Sequence, residues 1–174
     1  MRKNFFSIII VILLPILLLS FTGCKSKLQI ARDVGQDIMN AFIAKDEDAL
    51  YSLLSPNAKN SPNIREQIQE AFDFIDGEIV SYELPTDTGG GGRAMERGKV
   101  THENITPWID YIKTDSTEEK KHYRLQFRYD LVFKDDKNSE GLSNIIVSLL
   151  DENRSLIERT AIGLDFDEED RFPR

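Results

Sequence analysis

His122-Tyr123-Arg124-Leu125-Gln126-Phe127-Arg128-Tyr129-Asp130-Leu131-Val132-Phe133 alternates regularly enough to decide the class of fold. Tyr123, Leu125, Phe127, Tyr129, Leu131 and Phe133 share one parity; His122, Arg124, Gln126, Arg128 and Asp130 share the other. Successive side chains of a strand point to opposite faces, so this period of two predicts a β-strand with one face on a core and one in water. One-sided burial is the habit of antiparallel sheets.

Working outward, the pattern repeats in weaker form. Residues 135–141 turn the chain into an extended run over 142–150, and residues 151–155 turn it into another over 156–166. Upstream lies a charged hairpin turn, 114–121. Before it a long extended stretch over about 95–112 is expected to bend near Pro107. Val80, Tyr82 and Leu84 alternate before Pro85 and a glycine-rich loop over 86–93.

Further upstream the period lengthens. Ile30, Ala31, Val34, Ile38, Ala41 and Phe42 recur at three- and four-residue steps, the stripe of an amphipathic helix. Asp46-Glu47-Asp48 opens a second, shorter helix carrying Ala49, Leu50, Leu53 and Leu54, where an aspartate can cap free N–H groups. Pro56 is expected to end it. Ser61-Pro62 starts a third, with Ile64, Ile68, Ala71, Phe72 and Ile75 on its core face and Gly77 as its stop. Three helices followed by about five strands predict an α+β fold with helices packed on one face of a curved antiparallel sheet.

The first residues read differently. Arg2 and Lys3 precede an apolar run over 5–21, and small residues lead into Cys24, the chain's one cysteine. This is the layout of an export signal. The run is 17 residues long and interrupted by Pro15, at the lower limit of the roughly 17–25 residues that span a bilayer. Phe21-Thr22-Gly23-Cys24 resembles the lipobox of bacterial lipoproteins, with Phe21 where leucine is usual. The resemblance implies cleavage between Gly23 and Cys24 and a covalent diacylglycerol on Cys24. The chain then divides into a signal peptide (1–23), a lipidated tether (24–27), a folded domain (28–166) and a charged tail (167–174). It also implies a location on the outer face of the bacterial cell membrane.

Charge narrows the partners. The 174 residues carry 22 bases and 30 acids. Residues 1–23 hold two of those bases and no acid, so the exported part carries a net −10. Such a surface repels phosphate backbones, which excludes nucleic acid as an expected partner. It also repels anionic headgroups, leaving membrane attachment to the lipid. A single acylated cysteine leaves no disulfide and no cysteine-based metal site.

The opening helix, the Lys45-Asp46-Glu47-Asp48-Ala49-Leu50 turn and the strands after them resemble the nuclear transport factor 2-like cone. More closely, the exported part is similar to a family of bacterial lipoproteins known as domain of unknown function 5104. The matching stretches are Gly77-Glu78-Ile79-Val80-Ser81-Tyr82, Gly98-Lys99, Ile112-Lys113-Thr114, Tyr123-Arg124-Leu125 and Glu140-Gly141. The resemblance implies fold and location and carries no activity with it.

Candidate chemistry is sparse. Gly89-Gly90-Gly91-Gly92 with Gly98-Lys99 downstream lacks the spacing of a phosphate loop, because Arg93 and Val100 occupy its required positions and a strand follows. His102 and His122 have no neighbours at metal-ligand spacing, and His122 is expected on the wet face of its strand. The carboxylate run over 165–170 lacks the glycine turn and distal glutamate of a calcium loop. No Gly-x-Ser-x-Gly elbow is present. No catalytic residue, metal site or cofactor other than the Cys24 lipid is therefore expected. Tyr82, Tyr111, Phe127 and Tyr129 are expected to line a pocket in the cone. Trp108, with Ile112, is expected on the outer face as a homodimer interface. The expected function is a non-catalytic module that binds a small molecule or envelope protein. The alternatives are a small lyase, isomerase or hydrolase using the cone pocket, or a structural envelope dimer.

Overall fold

The computed structural model describes residues 25–118 and 120–163. The signal segment, Cys24 and the charged tail lie outside the described residues. Among the described residues four α-helices precede seven strands. Helix α1 spans Lys27–Ala44, α2 Glu47–Leu53, α3 Pro56–Lys59 and α4 Ile64–Phe74. The strands are β1 Ile79–Glu83, β2 Arg93–Glu96, β3 Lys99–Ile105, β4 Trp108–Thr114, β5 His122–Phe133, β6 Gly141–Leu150 and β7 Leu156–Ile162.

Local chemistry sets the helix ends. The Ser26 hydroxyl accepts from the Gln29 N–H at 3.1 Å and starts α1. Asp46 does the same for α2, accepting from Ala49 N–H at 2.9 Å, as its position predicts. Pro56 starts a helix instead of ending one. It sits in the first turn of α3, where its missing N–H costs nothing, and Ser55 caps that turn through the Ala58 N–H at 3.2 Å. Ser61 therefore caps no third helix: its own N–H bonds back to Ala58, and α4 begins three residues later, after Asn63 in left-handed backbone.

Strand β5 is the spine of the sheet, and every pairing in it is antiparallel. Along one edge β4 pairs its first half, through Ile112↔Tyr123 and Trp108↔Gln126. On the same edge β3 pairs its second half, through Ile105↔Tyr129 and His102↔Phe133. Along the other edge β6 runs from His122↔Leu150 to Asp130↔Gly141. Beyond these lie β1 on β4, β2 on β3 and β7 on β6.

The stretch expected to form one bent strand over 95–112 is thus part of three. Pro107 marks the jump from β3 to β4, as its missing donor requires. The break between β2 and β3 is a two-residue hairpin at Arg97-Gly98, both in left-handed backbone (φ 49° and 77°). Two positive φ values define the tight turn that suits strand twist; glycine meets that requirement freely, and arginine at the first position hides the signal in the sequence. The glycine-rich loop lies along β3, with Gly92 N–H bonded to Asn104 Oδ1 at 2.9 Å and Thr106 N–H to Gly90 O at 2.8 Å.

The buried stripes of α1 and α4 pack on one face of the sheet. Phe42 meets Phe72 edge-on at 5.0 Å between ring centres. Ile38, Leu50 and Ile68 join Ile109, Ile112, Leu125, Phe127, Ile145 and Val147 in one closed core. Burying side chains of this size stabilises the fold by about 1.5–3 kcal/mol each. Phe127, on the inward parity of β5, has no exposed surface and therefore packs the core without facing a cavity.

Candidate functional site: an aromatic and guanidinium cluster on the sheet

The pairing of β4 with β5 slips between Ile109 and Ile112. Tyr111 sits in that slip with φ 50°, left-handed backbone unusual for an aromatic residue. The irregularity turns both Ile109 and Ile112 inward, each fully buried. Two expected placements change as a result. Ile112 packs in the core and does not accompany Trp108 at an outer interface. Tyr111 points away from the core, so it lines no internal pocket.

The side chains displaced outward form a cluster. Asp110 accepts from both arms of Arg124, Nε at 3.2 Å to Oδ1 and Nη2 at 3.1 Å to Oδ2. Arg154, on the β6–β7 turn, donates to the same Oδ2. That turn is held by Asp151 Oδ1, which accepts from the Asn153 and Ser155 N–H groups at 2.9 and 2.8 Å. The Arg124 guanidinium lies 5.2 Å from the Trp108 ring centre and that of Arg154 lies 5.4 Å from Tyr111. Tyr111 in turn stacks on His122 at 4.9 Å with 24° between planes. Trp108 and Tyr111 are each 42% exposed. Aromatic faces attract cations at these separations and hold the guanidiniums in place.

Electrostatics fix the protonation states. Burial works to raise the Asp110 carboxyl. Hydrogen bonds from Arg124 and the Tyr111 N–H, with the charges of Arg124 and Arg154, outweigh it, and the carboxyl lies below its ordinary range. His122 is only 5% exposed, contrary to its expected place on a wet face. Burial first, then the charges of Lys113, Arg124 and Arg154, lower its pKa against the pull of Asp110. Among the described residues its Nε2 has no hydrogen-bond partner, and it stands 3.7 Å from Asp110 Oδ1. The result is an ionised carboxylate between two arginines and a neutral imidazole beneath a tyrosine.

A second polar cluster occupies the far half of β5. Asp130, 3% exposed, accepts from Arg128 Nη2 at 2.9 Å and Ser143 Oγ at 2.8 Å, and lies 3.1 Å from His102 Nε2. Burial raises its carboxyl, but the bonds from Arg128, Ser143 and His102 prevail and the net direction is down. The Ser143 hydroxyl donates to the aspartate and not to a histidine nitrogen, so the trio does not form the relay of a nucleophilic serine. Among the described residues no group of three or more His, Cys, Asp or Glu side chains is arranged to hold a metal.

The remaining expected pocket residues do not converge. Tyr82 is half-buried and its hydroxyl accepts from Gln36 Nε2 at 2.9 Å. Tyr129 lines a groove of about 520 Å³ with Ile30, Val34 and Asp37. Trp108 alone keeps its expected exposure, and its neighbours Asp110, Arg154 and His122 were not singled out by sequence as a group. Arg124 and Asp110 carry no spacing signal because they meet across strands, and Arg154 arrives through turn geometry.

No curated protein matches the chain. Residues 37–152, which hold the spine strand and most of the cluster, match the sequence profile of a domain of unknown function, DUF5104, and the chain belongs to that family.

Proposed function

We propose that this protein is a lipid-anchored, extracytoplasmic binding module of the bacterial envelope. It is built on a nuclear transport factor 2-like cone and holds a partner protein through the Trp108, Arg124, Asp110, Arg154 and Tyr111 face. Three features support the anchor and location: the basic and apolar start of the chain, its Gly23-Cys24 end, and the brevity of the link to α1. Among the described residues no helix is long and apolar enough to cross a membrane. The cone is supported by helices on one face of a sheet whose long central strand is shared by three neighbours.

The observation that carries the binding reading is the half-exposed Trp108 and Tyr111 with guanidiniums already stacked on them. Tryptophan, tyrosine and arginine dominate binding energy at protein interfaces, and their prior ordering lowers the entropy lost on docking. A lyase, isomerase or hydrolase would draw on the His102–Asp130 contact. It needs a carboxylate with acceptor capacity to spare, and Asp130 is held by Arg128, Ser143 and His102.

The test is a photo-crosslinking amino acid placed at position 108, with position 95 on exposed β2 as control, in cells making the full chain. The expected result is a covalent adduct of one defined mass from position 108 that Arg124→Ala abolishes. Equal labelling from both positions, or none from 108, overturns the reading. Sedimentation identifies the occupant: a dimer that Trp108→Ala dissociates assigns the face to a second copy of the chain, and monomers in both assign it to another protein.

A further inference from the structure

Among the described residues, His122 Nε2 and Thr160 Oγ1 are the buried side-chain atoms without a hydrogen-bond partner. Native structures pair almost all such atoms. Of the two only the imidazole nitrogen can gain a proton, and it stands 3.7 Å from Asp110 Oδ1, just beyond bonding reach.

That oxygen is already occupied. It accepts from Arg124 Nε at 3.2 Å and from the Tyr111 N–H at 3.0 Å. A carboxylate oxygen has about two lone-pair sites, so a third donor displaces one of these. The Tyr111 N–H belongs to the backbone next to Asp110 and is fixed by it. Arg124 Nε sits on a flexible side chain and makes the longer bond. A positive ring needs to approach by under about 1 Å to reach charge-assisted bonding distance.

Charge acts in the same direction. The charged groups bearing on His122 are Asp110 and Lys113 from β4, Arg124 from β5 and Arg154 from the β6–β7 turn. On β6 its register partner is the uncharged Leu150. One carboxylate thus faces three cations, and a protonated ring makes four. The added repulsion falls on side chains able to move into water.

We propose that protonation of His122 is an acid switch for the Trp108 face: the imidazolium takes Asp110 Oδ1, the Arg124 fork opens, its guanidinium leaves the Trp108 ring and the partner is released. The switch stands on the Asp110 geometry; the release of a partner rests on the binding role proposed above. Acid acts here below the ordinary imidazole range, because burial and the neighbouring cations oppose the proton. Asp110, held below its own ordinary range, is still ionised there.

Trp108 is the chain's one tryptophan, so its emission in the purified full chain reads this face directly. From about pH 7.5 to 5 the emission should shift to the red as the guanidinium gives way to water. His122→Phe keeps an aromatic ring against Tyr111 but takes no proton, and should abolish the shift; His102→Gln should retain it. Proton resonances of the two imidazoles give an independent measurement. The one that survives His102→Gln should titrate with the midpoint of the emission shift, whether or not His122→Phe folds. Photo-crosslinking from position 108, in membranes of cells making the full chain, should yield about tenfold less adduct at the acid pH. Flat emission, a shift that survives His122→Phe or is lost in His102→Gln, or a His122 resonance that titrates apart from it overturns the switch. Equal adduct at both pH values overturns the release. No adduct at either pH, with the emission shift intact, overturns the binding role and supports the switch.

Discussion

Arg154 donates a hydrogen bond to Asp110, a residue forty-four positions earlier in the chain. One residue sits on β4 and the other on the connection between β6 and β7, so the contact bridges over β5 and β6. The carboxylate is a shared anchor for two arginines, which makes the pair's members unequal. Asp110→Ala leaves both guanidiniums without their acceptor and should destabilise the protein by about 1–3 kcal/mol. Arg154 is half-exposed, and Arg154→Ala should cost under about 1 kcal/mol. Urea unfolding of both variants checks the order; equal losses would mean that Asp110 is not the hub.

His122 gives the stability a pH dependence above the carboxylate range. Its folded pKa is lowered from 6.5, so the unfolded chain binds the proton first. The stabilisation is full above about pH 6.5 and drains away as pH falls through the lower folded value. The denaturation midpoint should therefore decline between about pH 7.5 and 5, and His122→Gln should flatten that slope. Asp110 and Asp130 act further down. Their lowered carboxyls contribute above about pH 4, and that contribution is lost on deeper acidification. A wild-type midpoint constant from pH 7.5 to 5 would contradict the buried neutral imidazole.

Phe127 distinguishes a packed core from a lined pocket. A fully buried phenylalanine reduced to alanine leaves a cavity and costs about 3–5 kcal/mol. Phe127→Ala should lose that much in thermal or chemical unfolding. A loss below about 1 kcal/mol would indicate that the ring borders open space.

The Arg97-Gly98 turn is imperfect in one residue. Asparagine enters left-handed backbone more easily than arginine and, with glycine, forms the favoured two-residue hairpin. Arg97→Asn should raise stability by about 0.5 kcal/mol, read as a small rise in thermal midpoint. A fall would show that the Arg97 side chain holds the hairpin by other means.

Cys24→Ala tests the anchor. No contact in the described core involves Cys24, so the variant should give the wild-type unfolding curve yet take up no radiolabelled fatty acid in growing cells. Persistent labelling would refute lipid attachment at Cys24.

Regular periodicity was the legible part. The β5 alternation, the stripes of α1 and α4, and the Asp46 cap all correspond to elements in the structure, because each depends on neighbours close in sequence. The errors fall where one extra residue or an unusual φ changes phase. The slip at Tyr111 moves Ile112 inward and Tyr111 outward, and no periodic reading of 108–114 can anticipate it. Pro56 and Ser61 each fit two local roles, and the choice depends on the short α3 turn docking beside Leu142, whose carbonyl accepts the Ser55 N–H at 2.8 Å. The burial of His122 departs from its expected wet face for a different reason: alternation gives a face, and the stacked Tyr111 ring and the Arg154 turn cover that face there.

Helix α1 also sets a distance scale. Its 18 residues measure about 27 Å end to end. Three peptide steps separate Cys24 from Lys27, a reach of at most about 11 Å. The Lys25–Asp33 ion pair at 2.5 Å folds part of that reach back onto the helix. A lipid on Cys24 would thus leave the domain without a stalk. The Tyr129 groove, which includes Lys25, would lie at the anchored end of α1, and the Lys45 cap a full helix length further along. The two ends of α1 would then stand at unequal distances from the anchor.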